Sequence, residues 1–240
     1  MIIDVTNYVG KHKFKPEITA ESLIEQMDRC GVDMAVIFCQ AESLDNNSVQ
    51  EAFEKYPNRF IGLYTVNPWH LNCETEFIQA ITKRGFKGLH LDPCRSGFML
   101  NEHGAFYPLM DICRKLKVPV WCYGAAEVFS NPILFEQVAR DYPDVPIIMG
   151  LFGFMYDTTT AAGVAARCPN IYLETSASMQ ASMPRAYESA GVNRVLFGTG
   201  TPYTGYMDLE IKKIKHDLGH DPQALDLVLG GNAAKLFHVI

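Results

Sequence analysis

Short apolar runs, each compact enough for a buried strand, recur along the chain with amphipathic stretches between them. The runs are Met1–Val5, Met34–Cys39, Phe60–Val66, Phe86–Leu91, Val118–Cys122, Pro146–Gly150, Ile171–Glu174 and Arg194–Gly198, eight in all. The stretches between them carry helical spacing. Leu23, Ile24 and Met27 precede Gly31, and Phe77, Ile78 and Ile81 precede Gly85. Leu109, Ile112, Cys113 and Leu116 precede Val118, and Leu134, Phe135 and Val138 precede Pro143. Strands alternating with helices pair in parallel through right-handed crossovers. Eight such units predict an α/β fold, a closed (β/α)8 TIM barrel, spanning residues 1–240 as a single domain. An open doubly wound sheet needs a glycine-rich phosphate loop after its first strand, and Thr6–Gly10 offers a single glycine.

A barrel of this kind does its chemistry at the C-terminal strand ends and in the loops that follow. That rule selects Asp4, Thr6 and Tyr8; Tyr64 and Asn67; His90 and Asp92; Trp121 and Tyr123; Leu151; Glu174 and Ser176; and Thr199 to Tyr203. Of these, Thr6, Tyr64, Asn67, Trp121 and Thr201 are candidate substrate contacts.

Composition narrows the partners. With 48% hydrophobic residues, the 240-residue chain can bury one large core. A net charge of -6 without a basic block excludes nucleic acid and anionic membrane. No apolar run reaches a membrane span, and MIIDVTNYVG lacks the basic flank and cleavage site of a signal peptide, so a cytoplasmic protein is expected. Seven cysteines without a CxxC pair support neither a disulfide framework nor a zinc finger.

Several segments resemble the amidohydrolase-related barrels, which include metal-dependent hydrolases and non-oxidative decarboxylases of the aminocarboxymuconate-semialdehyde type. MIIDVTNYVG is similar to the family's opening strand. GLYTVNP, FKGLHLDPCRSGF, KVPVWCYGA and VPIIMGLFG match successive strand ends, and RVLFGTGTPY and GGNAAKLF match the last strand and the closing helix. The resemblance implies a divalent ion held by an HxH on the first strand, single histidines ending the fifth and sixth, and an aspartate ending the eighth. Aligned by motif, this chain has Thr6 and Tyr8 for the HxH, Tyr123 and Leu151 for the single histidines, and Gly200 for the aspartate. Leu and Gly side chains cannot bind an ion, and Thr and Tyr are poor ligands near neutral pH. His12, His70, His103, His216, His220 and His238 fall in loops or helices away from the strand ends. The expectation is a protein with neither catalytic metal nor other cofactor.

The polar groups that remain define the candidate chemistry. His90 and Asp92 share one strand face by period two, and the resemblance turns that face into the mouth. A histidine beside a carboxylate serves as general acid or base. The structural alternative is that Asp92 caps the Pro93-Cys94-Arg95 loop and His90 is an interior histidine. Tyr8 and Tyr123 offer two phenol donors for a carbonyl or carboxylate, or simply plug the vacated metal space. Arg95 either forks onto a substrate carboxylate or ties its loop to Glu102 or another acid. Glu174 either assists proton transfer or pairs with a basic neighbour. Cys39 and Cys122 read as inert packing, and Gly198, Gly200 and Gly205 as a tight turn. Lys11, His12, Lys13 and Lys15 form a basic cluster in the first loop, either steering an anion or solvated.

Three functional readings follow. One is a metal-independent enzyme acting on a small carboxylate-bearing molecule by acid/base chemistry of lyase, isomerase, cyclase or lactone-hydrolase type, with His90, Asp92, Tyr8 and Tyr123 as its catalytic groups. Another is a catalytically inactive barrel that binds a ligand or serves as a structural subunit, as a homo-oligomer or paired with a metal-containing relative. The third is a family member whose ligands were exchanged in the laboratory.

Overall fold

The computed structural model describes residues 1–125 and 127–239. Its strands are β1 (Ile3–Tyr8), β2 (Met34–Phe38), β3 (Phe60–Gly62), β4 (Tyr64–Thr65), β5 (Leu89–Leu91), β6 (Val120–Tyr123), β7 (Ile147–Gly150), β8 (Ile171–Glu174) and β9 (Val195–Leu196). They are parallel throughout and hydrogen-bonded in chain order, β1 to β3 and then β4 to β9. The run Phe60–Val66, expected as one strand, is two. Leu63 is where it changes partner: its N–H bonds back to Ile37 O at 2.9 Å, whereas the Tyr64 N–H bonds forward to Gly88 O at 2.9 Å. The ends meet through Val5 N–H to Phe197 O (3.0 Å), Gly200 N–H to Thr6 O (2.9 Å) and Tyr8 N–H to Thr201 O (3.2 Å). The result is a closed (β/α)8 barrel.

The amphipathic stretches form the outer ring. Ala20–Cys30 starts on Thr19, whose side chain accepts from Ser22 N–H, and stops at Gly31 in the left-handed region, φ 71°. It buries Leu23 and Met27 against the sheet. Cys73–Lys83, His103–Leu116 and Leu134–Asp141 follow the other patterns and bury Phe77, Phe106 and Leu109, and Phe135 and Val138. No helix among the described residues is long and apolar enough to cross a membrane.

A second apolar layer fills the barrel itself: Ile3, Val5, Val36, Phe38, Ile61, Leu63, Trp121, Ile148 and Leu196. Ala233, Ala234 and Phe237 close it near the start of β1. Burying a side chain of the size of Leu, Ile or Phe contributes roughly 1.5–3 kcal/mol. This interior is therefore a packed core, with room for chemistry only at its upper rim.

One irregularity in β1 positions that rim. Asp4 pairs with Ala35 and Asn7 with Ile37, so β1 spends one more residue than β2 over this stretch. Such a bulge shifts side-chain parity. Ile3 and Val5 point inward below it, and Thr6 and Tyr8 do so above it, where they meet Trp121 and Phe38.

Candidate active site

At the level of the strand ends, the barrel axis is occupied by a hydrogen-bonded polar layer. Thr6 Oγ1 accepts from Trp121 Nε1 at 3.1 Å and lies beside the Glu174 carboxyl. Glu174 is fully buried and accepts from Leu151 N–H (2.9 Å), Ser176 N–H (2.6 Å) and Ser176 Oγ (2.8 Å). Its predicted basic partner is replaced by backbone and hydroxyl donors. Gly198 makes this packing feasible, because a Cβ there would collide with Glu174 Oε1 and crowd Thr6 Oγ1. Gly150 does the same for the Trp121 ring. Asp4 accepts from Thr6 N–H (3.1 Å), Thr199 N–H (3.0 Å) and Thr199 Oγ1 (2.5 Å), and Thr199 Oγ1 in turn bonds Thr201 Oγ1 at 2.6 Å. Thr201 is thus buried in this network beneath the mouth.

His90 and Asp92 occupy the same strand end but not one hydrogen bond. His90 is buried, stacked on Phe38 with centroids 3.9 Å apart, and its Nδ1 sits 3.0 Å from Thr65 Oγ1. Burial alone lowers it to about 3, so the ring is neutral at physiological pH and cannot act as an imidazolium acid. Asp92 caps the short helix Pro93–Ser96, accepting from Arg95 N–H at 3.1 Å, and its Oδ2 lies 3.2 Å from Arg95 Nε. Burial, followed by the repulsion of Glu127, raises it to about 7 despite the capping bond. The capping reading of this carboxylate and the interior reading of its histidine match the observed contacts.

Tyr8 and Tyr123 lie above this layer. Tyr8 packs edge-on against Phe38 (5.0 Å) and tilted against Tyr203 (5.3 Å). Burial, then the charge of Asp92, pushes the Tyr8 phenol well above its ordinary value, and burial, Glu127 and Asp92 push Tyr123 in the same direction. Both keep their protons and act only as neutral hydrogen-bond groups. Arg95 is tied to Glu42 as well as Asp92, so the loop acid is Glu42 in place of Glu102.

Some expected contacts lie elsewhere. Tyr64 points outward, stacked on Phe77 and edge-on to Phe86 beneath the Arg84 guanidinium; the break at Leu63 leaves Thr65 as the inward residue of β4. Asn67 is half-buried and accepts from Trp69 N–H at 3.1 Å, organising its own loop. Cys39 is pushed up to about 12 by burial, and Cys122 also rises well above its ordinary value, as inert packing requires. Glu42, Glu127 and Tyr203 are site residues that sequence reasoning passed over or left unassigned. Each has a buried oxygen without a hydrogen-bond partner among the described residues. Loop acids carry no periodic signal, so nothing in the pattern distinguished them.

The donor set does not fit the family's divalent ion. The Thr6 hydroxyl already serves Trp121, the two tyrosines keep their protons, and Leu151 and Gly200 offer no side-chain donor. Gly200 also adopts φ 67°, with a would-be Cβ overlapping Thr204 Oγ1. The turn has no place for an aspartate side chain.

The profile of the amidohydrolase family matches residues 11–239. Among solved structures, an uncharacterized TIM-barrel protein from Bordetella bronchiseptica superposes with a TM-score of 0.82 at 20% identity, covering 99% of this chain and 98% of that one. A probable 2-pyrone-4,6-dicarboxylic acid hydrolase from Acinetobacter baumannii, with citric acid bound, gives 0.77 at 17% identity over 99% of both chains. A 5-carboxyvanillate decarboxylase from Sphingomonas paucimobilis gives 0.74 at 15% identity over 99% and 98%. No curated protein sequence matches the chain.

Two outcomes test the site's physics. Asp4 is raised from 3.8 to about 7, foremost by burial, and Glu174 is raised by the same cause. A carboxyl raised on folding stabilises fully below its unfolded value, and that contribution is lost as pH rises through the folded value. Denaturant unfolding should therefore show stability declining from about pH 4 to about pH 7 and then flattening, with a shallower decline in Asp4→Asn. The second outcome concerns the turn: Gly200→Asp should lower unfolding free energy by about 2 kcal/mol or more in the same assay, from left-handed strain plus the Thr204 overlap.

Proposed function

The chain belongs to the amidohydrolase family, and from that premise we propose that it is a metal-independent acid/base enzyme acting on a small carboxylate-bearing molecule at the C-terminal mouth of the barrel. The observation that carries this reading is the grouping at the mouth of Asp92 with Tyr8 and Tyr123: a carboxyl capped and ion-paired by Arg95, which burial raises to about 7, within the field of two phenols that burial keeps protonated. A group titrating near the working pH both accepts and returns a proton. The phenols hydrogen-bond an oxygen on which negative charge develops. Arg95 holds Asp92 by its side chain and by the cap, so its role is to position the carboxyl. Proton transfer of this kind supports lactone opening, isomerisation, dehydration or cyclisation.

The substrate class draws support from the similar structures named above, whose ligand or substrates, citric acid, 2-pyrone-4,6-dicarboxylic acid and 5-carboxyvanillate, all bear carboxylates. The reading extends to a cytoplasmic protein that works on a diffusible molecule without nucleic acid, membrane or cofactor, as a homo-oligomer or beside a metal-containing relative.

A second reading, a catalytically inactive ligand-binding or structural barrel, is favoured by one observation: Trp121, Phe38 and His90 are all buried and packed ring against ring, leaving the axis filled.

The test is ring opening of the lactone 2-pyrone-4,6-dicarboxylic acid, with elemental analysis of the same sample. Activity should survive chelation, show an inflection in kcat near pH 7, and fall by about 10²–10⁴-fold in Asp92→Asn. Chelator-sensitive turnover with stoichiometric metal would sink the proposal, as would full activity in Asp92→Asn. His90→Gln should cost stability more than kcat, and no turnover of any compound favours the inactive barrel.

A further inference from the structure

The loop after β2 brings one side chain across to the segment that follows β5. Gln40 O closes a turn by accepting from Ser43 N–H and Leu44 N–H, each at 3.1 Å, and Glu42 sits inside that turn. The receiving segment is anchored as well. Pro93–Ser96 is a single helical turn that ends on Gly97 in the left-handed region, φ 70°, and Trp69 Nε1–H, from the loop after β4, donates to Ser96 O at 2.8 Å. Two anchored loops therefore meet at Arg95.

The guanidinium is shared unequally between two acids. Arg95 Nη1 donates to Glu42 Oε1, the one side-chain hydrogen bond that the guanidinium makes among the described residues. Toward Asp92 it turns only its Nε edge, 3.2 Å from Oδ2, and the hydrogen bond that Asp92 receives from this residue comes from the backbone N–H at 3.1 Å. Asp92 is the more buried acid, with 8% of its side chain exposed against 19% for Glu42. A planar guanidinium carries its N–H groups in a fixed fork, so a hydrogen bond at one corner orients the whole group. The other titratable groups in the field of Asp92 supply no competing cation. They are Glu127, Tyr123 and Cys122 from β6 and the loop after it, Tyr8 from β1, Cys94 beside it, and the neutral His90 on its own strand. One cation facing two carboxylates is compensated in full by either, which leaves the second acid free to take a proton.

We propose that Glu42 is a positioning residue for Asp92: by holding the Arg95 guanidinium on its own carboxylate, it keeps that cation from closing as a fork on Asp92 and leaves the Asp92 carboxyl free to exchange a proton. The inference rests on the proposed function for what that proton does, and on the geometry of the two loops for how the carboxyl stays exchangeable. Without the Glu42 charge, Asp92 becomes the counter-ion of the guanidinium, and a carboxylate paired with a cation binds its proton less readily. A carboxyl kept ionised still accepts a proton but no longer delivers one near neutral pH.

NMR titration of the full chain with isotope-labelled aspartate carboxyls tests this without requiring turnover, the Asp92 resonance being the one lost in Asp92→Asn. Glu42→Gln and Glu42→Ala should each lower the Asp92 midpoint by about 1 pH unit or more. Glu42→Asp keeps the charge and should move it less than half as far. Glu102→Gln removes an exposed acid of the same charge from the mouth side of the chain and should match wild type. In an Arg95→Gln background, where there is no guanidinium to hold, Glu42→Gln should lower the midpoint less than half as far as in wild type. Unchanged thermal midpoints verify that the variants fold. No fall in Glu42→Gln and Glu42→Ala, an equal fall in Glu102→Gln, or an undiminished fall in the Arg95→Gln background would each overturn the proposal. The ring-opening assay separates the two claims. Where there is turnover, the inflection in kcat should follow the Asp92 midpoint with KM little changed; an inflection that stays while the midpoint moves strikes the acid/base role of Asp92 and leaves Glu42 in place. Where there is none, the proposed function fails and the titration alone decides whether Glu42 holds the guanidinium.

Discussion

The barrel closes on a carboxyl group. Between β1 and β9 the backbone supplies few bonds, and the Asp4 side chain completes the seam by accepting from both the N–H and the hydroxyl of Thr199. A carboxyl taken wholly out of water is costly unless it is hydrogen-bonded or protonated, and Asp4 uses both routes. The arrangement fixes Thr199, and with it the turn through Gly200 that delivers Thr201 into the buried layer and Tyr203 into the mouth. The upper face of the molecule inherits its geometry from that one group.

Beneath the mouth the polar layer is self-satisfied. Glu174, Thr6 and Trp121 spend their donors and acceptors on one another or on backbone, and His90 is neutral and sealed. The polar groups left with unspent capacity consequently lie above the strand ends, in the loops where Asp92, Glu42, Glu127 and Arg95 interact and where the first loop meets Tyr203. Such a division is natural to the fold, in which stability and function occupy separate ends of the strands.

How much of this was legible depended on the kind of signal. All eight apolar runs became barrel staves, because burial on both faces forces continuous apolar sequence. The split at Leu63 was invisible, since a strand that changes partner midway keeps the same composition. Tyr64 was misplaced for the same reason: its facing depends on parity counted from that break. Thr6 and Tyr8 were selected by their position at the end of the first strand, whereas their facing relative to Ile3 and Val5 depends on the bulge between Asp4 and Asn7, which a simple alternation does not reveal. The neutral state of His90 and the hydrogen bonding of Glu174 depend on neighbours far away in sequence. Trp121, whose bond to Thr6 spans 115 residues, belongs to the same category.

The glycine at position 200 ties its surroundings together. Its left-handed backbone, the threonine lodged against it, and the Thr6–Trp121 bond across the barrel are three separate commitments of the upper face. Each commitment makes the others harder to reverse. A single substitution toward a ligand at position 200 meets a left-handed backbone and the Thr204 side chain, so a ligand there requires at least one neighbour to move with it. Gly198 and Gly150 are bound in the same way to their neighbours, since Glu174 and Trp121 fill the space those glycines leave.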